Sequence, residues 1–356
     1  MRTIVFTGGG TAGHVTPNLA VIERMKQLGW DVRYIGSATG IEKNIIERES
    51  IPFYSISSGK LRRYFDLKNL KDPFKVMKGV VDAYRLLRRL KPAIVFSKGG
   101  FVSVPVVIAC RLLRIPVIIH ESDMTPGLAN KISIPFATKV CVTFPETMKH
   151  LTADKAVQTG LPLRAAIGNG SKLRGLQLCD FHSQKPVLMI MGGSLGSQAI
   201  NQAVRESLDR LLQEFQIVHL CGKGNSDPAL DALRGYKQYE YVSDELPDLL
   251  AMAEIVVSRA GSTSIFEFLM LEKPMLLIPL SKQASRGDQI LNADSFAQSG
   301  FAEVLYEEQL TSATLTQRIL DLYENRQIYQ SVMAKHTESN AAQQVVSLLE
   351  TYARTT

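Results

Sequence analysis

The chain has 356 residues, of which 45% are apolar and 21% charged, and this composition excludes disordered, collagen-like and disulfide-rich proteins. Its length suits two domains of ordinary size, each able to bury a core of its own. The net charge of +7 is the difference between +13 in residues 1–164 and −6 in residues 165–356, so we expect an anionic partner at the first half.

Short apolar runs alternate with segments of helical periodicity in the first half of the chain. Continuous apolar strands separated by helices are typical of a parallel sheet that is covered on both faces. The predicted strands are TIVF (3–6), VRYIG (32–36), AIVFS (93–97) and PVIIH (116–120), with helices at about 17–28, 40–49 and 102–113.

The second half repeats this rhythm, and the two series together predict two doubly wound α/β domains. The last part of the chain, about 314–353, is also helical in pattern. The predicted strands are VLMIM (187–191), IVHLC (217–221), EIVVS (254–258) and PMLLIP (274–279), with helices at about 197–214, 228–234 and 263–271.

Both series begin with a strand, a glycine loop and a helix, and the stretch between Arg164 and Pro186 is polar and aperiodic, as a linker is. We predict an N-terminal domain over 1–164, a C-terminal domain over 165–340 and a terminal helix over 341–356. Whether that helix packs back on the first domain is left open. Since ligands of such sheets bind at the carboxyl ends of strands, we expect the active site in the cleft between the domains.

The four cysteines lie far apart and without metal-like spacing, which indicates reduced cytosolic thiols. The N-terminus runs from an apolar strand straight into glycines, unlike a signal peptide. No apolar run approaches the roughly 18 residues of a membrane span, so we expect a soluble or peripheral protein.

Gly8, Gly10 and Gly13 form a GxGxxG pattern between a strand and a helix. Glycines allow close approach of the backbone, and the N–H groups of a helix start attract anions. A dinucleotide site also needs an acid at the end of the second strand, but residues 35–40 contain no carboxylate, which disfavours a dehydrogenase. Glycines that serve only strand–helix packing remain an alternative.

Three more glycine-containing loops follow predicted strands, at 97–100, 192–196 and 258–263. Several such loops facing one cleft suggest several phosphates, with a nucleotide diphosphate on one domain and another anion on the other. The pattern GxxxxGK[ST] does not occur, which excludes a P-loop ATPase.

Seven segments now carry a family resemblance through their order and spacing: GGGTAGHVTPNLA (8–20), SKGGFVSVP (97–105), HESDMTPGLANK (120–131), TGLPLR (159–164), GGSLGSQAIN (192–201), SRAGSTSIFE (258–267) and DQILNA (288–293). Through nearly its whole length the chain resembles the MurG family of β-N-acetylglucosaminyltransferases. The resemblance implies a GT-B fold of two Rossmann-like domains, with the lipid acceptor on the first and UDP-GlcNAc mainly on the second. It also implies inverting transfer of GlcNAc to the C4 hydroxyl of lipid-linked MurNAc, lipid I to lipid II, in peptidoglycan synthesis, cell shape and cell division.

The resemblance implies roles for the matching positions, among them Glu267 on the ribose and Ser194 on the donor diphosphate. The sequence departs from the family at Ala12, Asp123, Asp288 and Ser197, which leaves the fine donor selectivity open. Expected UDP-GlcNAc contacts are Thr11, Ala12, Gly13, Asp123, Arg164, Ser194, Val242, Ser262, Thr263, Glu267 and Gln289; expected contacts of the acceptor pyrophosphate are Gly10, Gly99, Gly100 and Ser103.

Inversion at the sugar requires a base near the acceptor hydroxyl and stabilisation of the leaving UDP. His14 is the expected base, because a neutral imidazole suits pH 7 and the nearby helix start disfavours the imidazolium. A purely orienting His14 is the alternative, and Asp123 is the other candidate base. No Asp-x-Asp pair ends a strand, so neither a metal ion nor another cofactor is expected.

The segment 59–79 combines seven Lys and Arg with two Asp and interleaved apolar side chains. This composition favours docking on anionic lipid, with a solvated surface or nucleic-acid binding as alternatives. We therefore expect a peripheral protein on the cytoplasmic face of the bacterial membrane. The expected membrane contacts are Lys60, Leu61, Arg62, Arg63, Phe65, Lys68 and Phe74.

The expected partners are UDP-GlcNAc, lipid I, an anionic membrane and other cell-wall synthesis proteins, and not nucleic acid. Three rival functions stay open: another GT-B transferase acting on a lipid such as diacylglycerol, a UDP-GlcNAc 2-epimerase of similar architecture, and a lipid-binding scaffold that has lost catalysis. The basic and apolar segment argues against the epimerase, while His14, Glu267 and Gln289 argue against the scaffold.

Overall fold

The computed structural model describes residues 2–59, 72–193, 196–282, 285–336 and 340–354. The chain divides into two compact units, Met1–Arg164 with Ser339–Thr356 and Ala165–Glu338. Among the described residues, the first unit has a seven-stranded sheet and the second a six-stranded sheet, and every strand pair is parallel. The predicted α/β class with two doubly wound domains is confirmed.

The strands of the first unit are β1 (Thr3–Thr7), β2 (Asp31–Ser37), β3 (Phe53–Ile56), β4 (Ile94–Ser97), β5 (Val117–Glu121), β6 (Lys139–Val142) and β7 (Ala156–Gln158). Their order across the sheet is β3-β2-β1-β4-β5-β6-β7. The helices of this part of the chain are α1 (Thr16–Gln27), α2 (Ile41–Arg48), α3 (Asp72–Leu90), α4 (Ser103–Leu112) and α5 (Leu128–Ser133).

The side chains of β1 alternate between two cores, because successive side chains of a strand point to opposite faces of the sheet. Ile4 and Phe6 lie in one core with α1, whereas Val5 lies in the other with α3 and α4. All three are fully buried. Burial on both faces explains why the strand is a continuous apolar run and not an alternating one.

The strands of the second unit are β8 (Val187–Met191), β9 (Gln216–Leu220), β10 (Tyr236–Tyr239), β11 (Ile255–Ser258), β12 (Met275–Leu277) and β13 (Ala302–Val304). Their order is β10-β9-β8-β11-β12-β13. The helices are α6 (Lys172–Cys179), α7 (Gln198–Glu206), α8 (Leu208–Glu214), α9 (Leu246–Met252), α10 (Ser262–Met270), α11 (Asp288–Gln298), α12 (Ser312–Glu324) and α13 (Arg326–Met333).

The last helix, α14 (Ala341–Tyr352), belongs to the first unit and packs on α1. Val345, Val346 and Leu349 are fully buried in the core that β1 shares with α1. At the helix start, Arg24 Nη1 donates to Gln343 Oε1 at 2.9 Å. The end of the chain therefore completes a core that its first strand begins.

Three sequence-based predictions of secondary structure are wrong. The stretch 165–185 is not an aperiodic linker, because it contains α6, which packs on α9. Residues 228–234 form only the 3-10 turn Pro228–Leu230 and not a helix. The helix predicted over 197–214 is interrupted at Ser207 and forms two helices, α7 and α8. The Oγ of Ser207 donates to a carbonyl of the preceding turn at 2.6 Å.

Helix α3 presents apolar side chains to solvent. Phe74, Met77 and Val81 are 73%, 67% and 47% exposed, and their spacing puts them on one face of the helix. None of the described helices combines enough length with enough apolar character to span a bilayer.

Candidate active site

Three adjacent strands of the first unit end in the loops that hold most of its predicted site residues. Because β4 lies between β1 and β5 and all three are parallel, these loops emerge at the same edge of the sheet. The loops contain Gly10, Thr11, Gly13, His14, Gly99, Gly100 and Asp123, with Ser103 at the start of α4.

The loops after β1 and β4 touch through their backbones. The N–H of Gly9 donates to the carbonyl of Gly99 at 3.3 Å, and a Cβ on Gly100 would overlap the carbonyl oxygen of Gly9. Gly100 also has φ +84°, which side-chain-bearing residues rarely adopt. Ser103 is fully buried and its Oγ donates to Gly100 O at 2.7 Å, so its predicted contact with a pyrophosphate stays a prediction.

Glu42, which the sequence analysis missed, closes the first glycine loop. It lies in the first turn of α2, is fully buried, and accepts a hydrogen bond from the N–H of Gly10 at 3.2 Å. Its other oxygen accepts from Ser37 N at 2.9 Å and Ser37 Oγ at 2.5 Å. This acid is engaged by the protein and not offered to a ribose. In the sequence, Glu42 lies just beyond the end of β2 and outside residues 35–40, where a dinucleotide-binding site would need an acid.

His14 ends a 3-10 turn, Ala12–His14, directly before α1. Its Nδ1 lies 2.8 Å from Thr11 Oγ1, and when Nδ1 donates to that hydroxyl, Nε2 keeps the lone pair that accepts a proton. Asn18 supports the turn from behind, since its Nδ2 donates to His14 O at 3.3 Å and to Tyr34 Oη at 3.0 Å. The arrangement suits a general base held in one orientation.

Glu121 organises the loop that carries Asp123. Glu121 is buried, and its carboxylate accepts from the N–H groups of Asp123 and Gly127, both at 3.0 Å. A third donor is Asn130 Nδ2 at 2.8 Å. Asp123 itself is partly exposed at the carboxyl edge of the sheet, where a substrate can reach its side chain.

The positions of several other predicted residues say little about ligand contacts. Arg164 Nη2 lies 3.9 Å from Glu49 Oε1 in a partly exposed ion pair, so its position at the nucleotide stays a prediction. Ala12 is described by its backbone alone. Phe74 lies on α3, as given above. The described residues do not include Ser194, Lys60, Leu61, Arg62, Arg63, Phe65 and Lys68.

In the second unit, Gly196 packs closely against the chain just after β9, directly before α7. A Cβ on Gly196 would overlap the carbonyl oxygen of Cys221, and Gly196 has φ +78°. Ser197 caps the helix, because its Oγ accepts from Ile200 N at 3.4 Å. The remaining N–H groups of the helix start lie at the carboxyl edge of the sheet, where they can receive an anion.

Arg259 joins three loops at this edge and is 8% exposed. Its Nη1 donates to the carbonyls of Ile278 at 3.1 Å and Pro279 at 3.3 Å. Its Nη2 donates to Ser197 Oγ at 2.7 Å, and it forms an ion pair with Glu307. The loop after β11 is thereby tied to the cap of α7. This role could not be predicted from the sequence, because the partners are far apart along the chain.

Helix α10 and the start of α11 hold four predicted donor contacts. Ser262 begins α10, and the buried Thr263 Oγ1 has no hydrogen-bond partner among the described residues, so a ligand oxygen can take that place. Glu267 lies one turn further on and is 6% exposed. Gln289 is oriented by the N–H of Leu280, which donates to its Oε1 at 3.1 Å.

A buried polar network supports the ends of β9 and β10. His219 Nε2 lies 2.9 Å from Asn201 Oδ1, which can only accept, so Nδ1 accepts from Tyr236 Oη at 2.8 Å. Asn201 Nδ2 in turn donates to Cys221 O at 2.8 Å. Burial lowers the pKa of His219 to about 3, so the ring is neutral. Val242, predicted to border the uracil, lies just beyond β10 and is 9% exposed.

The thiols and acids of the described residues form no evident metal centre. No group of three or more His, Cys, Asp or Glu in this part of the chain is arranged to hold a metal ion. All four cysteines are buried free thiols. Burial raises the pKa of Cys141 to about 12, so this thiol is protonated and unreactive at neutral pH.

Comparisons with known proteins agree along the whole chain. The glycosyltransferase family 28 N-terminal domain matches residues 4–142, and the family 28 C-terminal domain matches residues 187–348. A UDP-N-acetylglucosamine–N-acetylmuramyl-(pentapeptide) pyrophosphoryl-undecaprenol N-acetylglucosamine transferase of Clostridium botulinum is 57% identical over 354 residues, 99% of this chain and 100% of that relative. A Bacillus cereus relative, transferase 2 of the same name, is 59% identical over 346 residues, 97% of this chain and 98% of the relative.

Solved structures give the same result for the fold. The crystal structure of Acinetobacter baumannii MurG matches with a TM-score of 0.76 and 28% identity, over 99% of this chain and 100% of that one. A UDP-GlcNAc 2-epimerase of Neisseria meningitidis, solved with UDP-GlcNAc, matches with a TM-score of 0.69 over 99% and 100%. At 14% identity, the second likeness concerns the fold alone.

Proposed function

Because the chain belongs to glycosyltransferase family 28, we propose that it makes lipid II by transferring GlcNAc from UDP-GlcNAc to the C4 hydroxyl of MurNAc-pentapeptide-pyrophosphoryl-undecaprenol. The observation that carries this proposal is the 57% and 59% identity, over nearly the full length, to relatives named for that transfer. The chain is thus a UDP-GlcNAc-dependent glycosyltransferase of peptidoglycan synthesis.

The second unit suits the donor. Diphosphate oxygens can be received by the N–H groups at the starts of α7 and α10, together with the hydroxyl of Thr263. Glu267 is assigned to the ribose hydroxyls, Gln289 to the sugar and Val242 to the uracil. Binding through backbone dipoles fits the charge of the second unit, since residues 165–338 carry a net −6 and offer no excess of cations. The charge of the leaving UDP is met there and by Arg164.

The first unit suits the acceptor and the proton transfer. The donor linkage is α and the product linkage β, so one direct displacement accounts for the inversion. His14 takes the proton of the C4 hydroxyl on Nε2 while Thr11 Oγ1 accepts from Nδ1. Asp123 is assigned to the sugar, where its carboxylate would accept hydrogen bonds from hydroxyl groups. No metal ion or other cofactor has a step in this mechanism.

The exposed apolar face of α3 supports docking on the cytoplasmic face of the cell membrane. Phe74 and Met77 are exposed and belong to the sequence segment 59–79, whose basic and apolar composition suits anionic lipid headgroups. Such docking brings the enzyme to a lipid-linked acceptor and to other cell-wall synthesis proteins. Sedimentation with phosphatidylglycerol vesicles tests it: the combined changes Phe74→Ser and Met77→Ser should reduce binding, and unchanged binding would contradict it.

An acceptor comparison tests the proposed function. The purified full chain receives UDP-GlcNAc labelled in the sugar together with a lipid I analogue, with diacylglycerol, or with no acceptor. Label should enter the lipid I analogue alone. Label in diacylglycerol would favour another lipid glycosyltransferase, and UDP-ManNAc formed without an acceptor would favour an epimerase.

A further inference from the structure

Lys98 is a buried cation beneath the glycine loops of the first unit. It follows β4 directly, its N–H donates to Thr7 O at 2.9 Å, and the residue is 1% exposed. Its Nζ bonds to Ser122 Oγ in the loop after β5. A fully buried lysine is rare, because its ammonium loses hydration, and it requires opposite charge nearby.

The loop after β5 supplies that opposite charge. Glu121 and Asp123 flank Ser122, and both carboxylates attract the ammonium of Lys98. Three N–H donors already hold the carboxylate of Glu121, independently of Lys98. Lys98 adds a charge interaction to Glu121 and then to Asp123, and Asp123 is the partly exposed member of the pair, which a substrate can reach.

The charge states of the surrounding groups are set by burial. Burial lowers the pKa of Lys98 to about 8, against the attraction of Glu121 and then of Asp123, so the ammonium is mostly charged at pH 7. The thiol of Cys141 also faces it and is neutral, since burial raises its pKa to about 12. Burial and the charge of Lys98 lower the pKa of His120 well below its usual value, so that ring is neutral too.

We propose that Lys98 is a positioning residue of the transfer site, whose ammonium fixes the Ser122–Asp123 turn through its bond to Ser122 Oγ and attracts the carboxylate of Asp123. This inference rests on the proposed function, because Asp123 is assigned to the sugar there. Lys98 acts through Asp123 and Ser122 and does not touch substrate, since its side chain is covered. The substitution Lys98→Met removes the charge and keeps the length of an unbranched side chain.

A double-mutant cycle measured in kcat tests the interaction between Lys98 and Asp123. Lys98→Met alone should lower kcat about tenfold, whereas in the Asp123→Asn background it should change kcat by less than about twofold, because the carboxylate of Asp123, through which Lys98 acts on the transfer, is absent. The control is Lys149→Met, which removes an exposed cation of the same unit. Equal losses in both backgrounds would overturn the proposal.

The pH–rate profile separates a charge effect from a packing defect. Without the nearby cation a carboxylate takes up a proton more readily, so the acid limb of kcat in Lys98→Met should move to higher pH by about one unit. Lys149→Met should leave the limb in place. An unshifted acid limb in Lys98→Met would overturn the proposal.

Urea unfolding of the same four proteins gives a readout that needs no substrate. The shift in unfolding midpoint caused by Lys98→Met should differ between the wild-type and Asp123→Asn backgrounds, and the proposal requires this coupling as well as the kinetic one. Additive midpoint shifts would overturn it. A wild-type chain that fails to modify lipid I, yet shows coupled midpoints, would instead overturn the proposed function.

Discussion

The carboxylate of Glu42 accepts a hydrogen bond from the backbone N–H of Gly10 at 3.2 Å. The same side chain bonds to Ser37 at the end of β2, so one buried acid joins the second strand to the loop after the first. The N–H of Gly10 is thereby used within the protein, and its contact with an acceptor pyrophosphate stays a prediction. Residues 10–14 gain a fixed shape from this bond, which matters because His14 ends that stretch.

Replacing Glu42 by Gln should loosen the first glycine loop. An amide nitrogen cannot accept from Gly10 or Ser37, so we expect the free energy of unfolding to fall by about 1–3 kcal/mol and kcat to fall with it. Urea unfolding and the transfer assay measure both. The matched control is Glu47→Gln on the same helix, which breaks only the exposed 4.0 Å pair with Lys43 and should cost less than about 0.5 kcal/mol. Equal effects of the two changes would contradict the account.

Replacing Gly100 by Ala should destabilise the first unit. The added Cβ would collide with the carbonyl oxygen of Gly9, and φ +84° is unfavourable for alanine, so we expect a loss of more than about 2 kcal/mol. Thermal unfolding measures the loss. Gly168→Ala serves as the control, because a Cβ there meets nothing within 4 Å. A Gly100→Ala protein as stable as this control would refute the close approach of the two loops.

The buried ring of His219 should make the second unit sensitive to acid. Burial lowers its pKa from 6.5 to about 3, so the unfolded chain binds the proton first as the pH falls. The stability from the neutral ring is therefore complete above about pH 6.5 and is lost between there and pH 3, at up to about 1.4 kcal/mol per pH unit. Unfolding curves of wild type and His219→Gln should converge with falling pH. The exposed His182 gives the control, His182→Gln, and parallel curves for wild type and His219→Gln would contradict the prediction.

Replacing His14 by Ala should slow the transfer without weakening donor binding. Loss of a general base typically lowers kcat about 100-fold or more, while the dissociation constant of UDP should change by less than about threefold, because UDP is assigned to the second unit. Steady-state kinetics and calorimetric titration of UDP measure the two quantities. A near-normal kcat would leave His14 as an orienting residue and make Asp123 the candidate base.

Most central strands could be predicted from the sequence, whereas the internal strand β6 and the edge strands could not. β1, β4, β5, β8 and β11 are buried on both faces, so each leaves a continuous apolar run. β3, β7 and β13 have three or four residues and are only partly buried, so their sequences carry no such run. Burial on both faces therefore made most central strands recognisable, although β6, which is mostly buried, was not predicted.

The glycine loops could also be predicted from the sequence, because close backbone approach and positive φ at Gly100 and Gly196 require glycine itself. The side chains that hold those loops were not. Glu42, Lys98 and Arg259 act through partners from other strands, and only the folded chain brings them together. Periodicity and motif spacing carry no information on such contacts.

The structure of the product tests the central claim most directly. The purified full chain is incubated with UDP-GlcNAc, labelled with 13C in the sugar, and a lipid I analogue, and the isolated lipid product is examined by NMR. We predict a single new linkage, β from GlcNAc C1 to the C4 oxygen of MurNAc, with one UDP released per linkage. An α linkage, attachment at another hydroxyl, or UDP release without a disaccharide lipid would contradict the account.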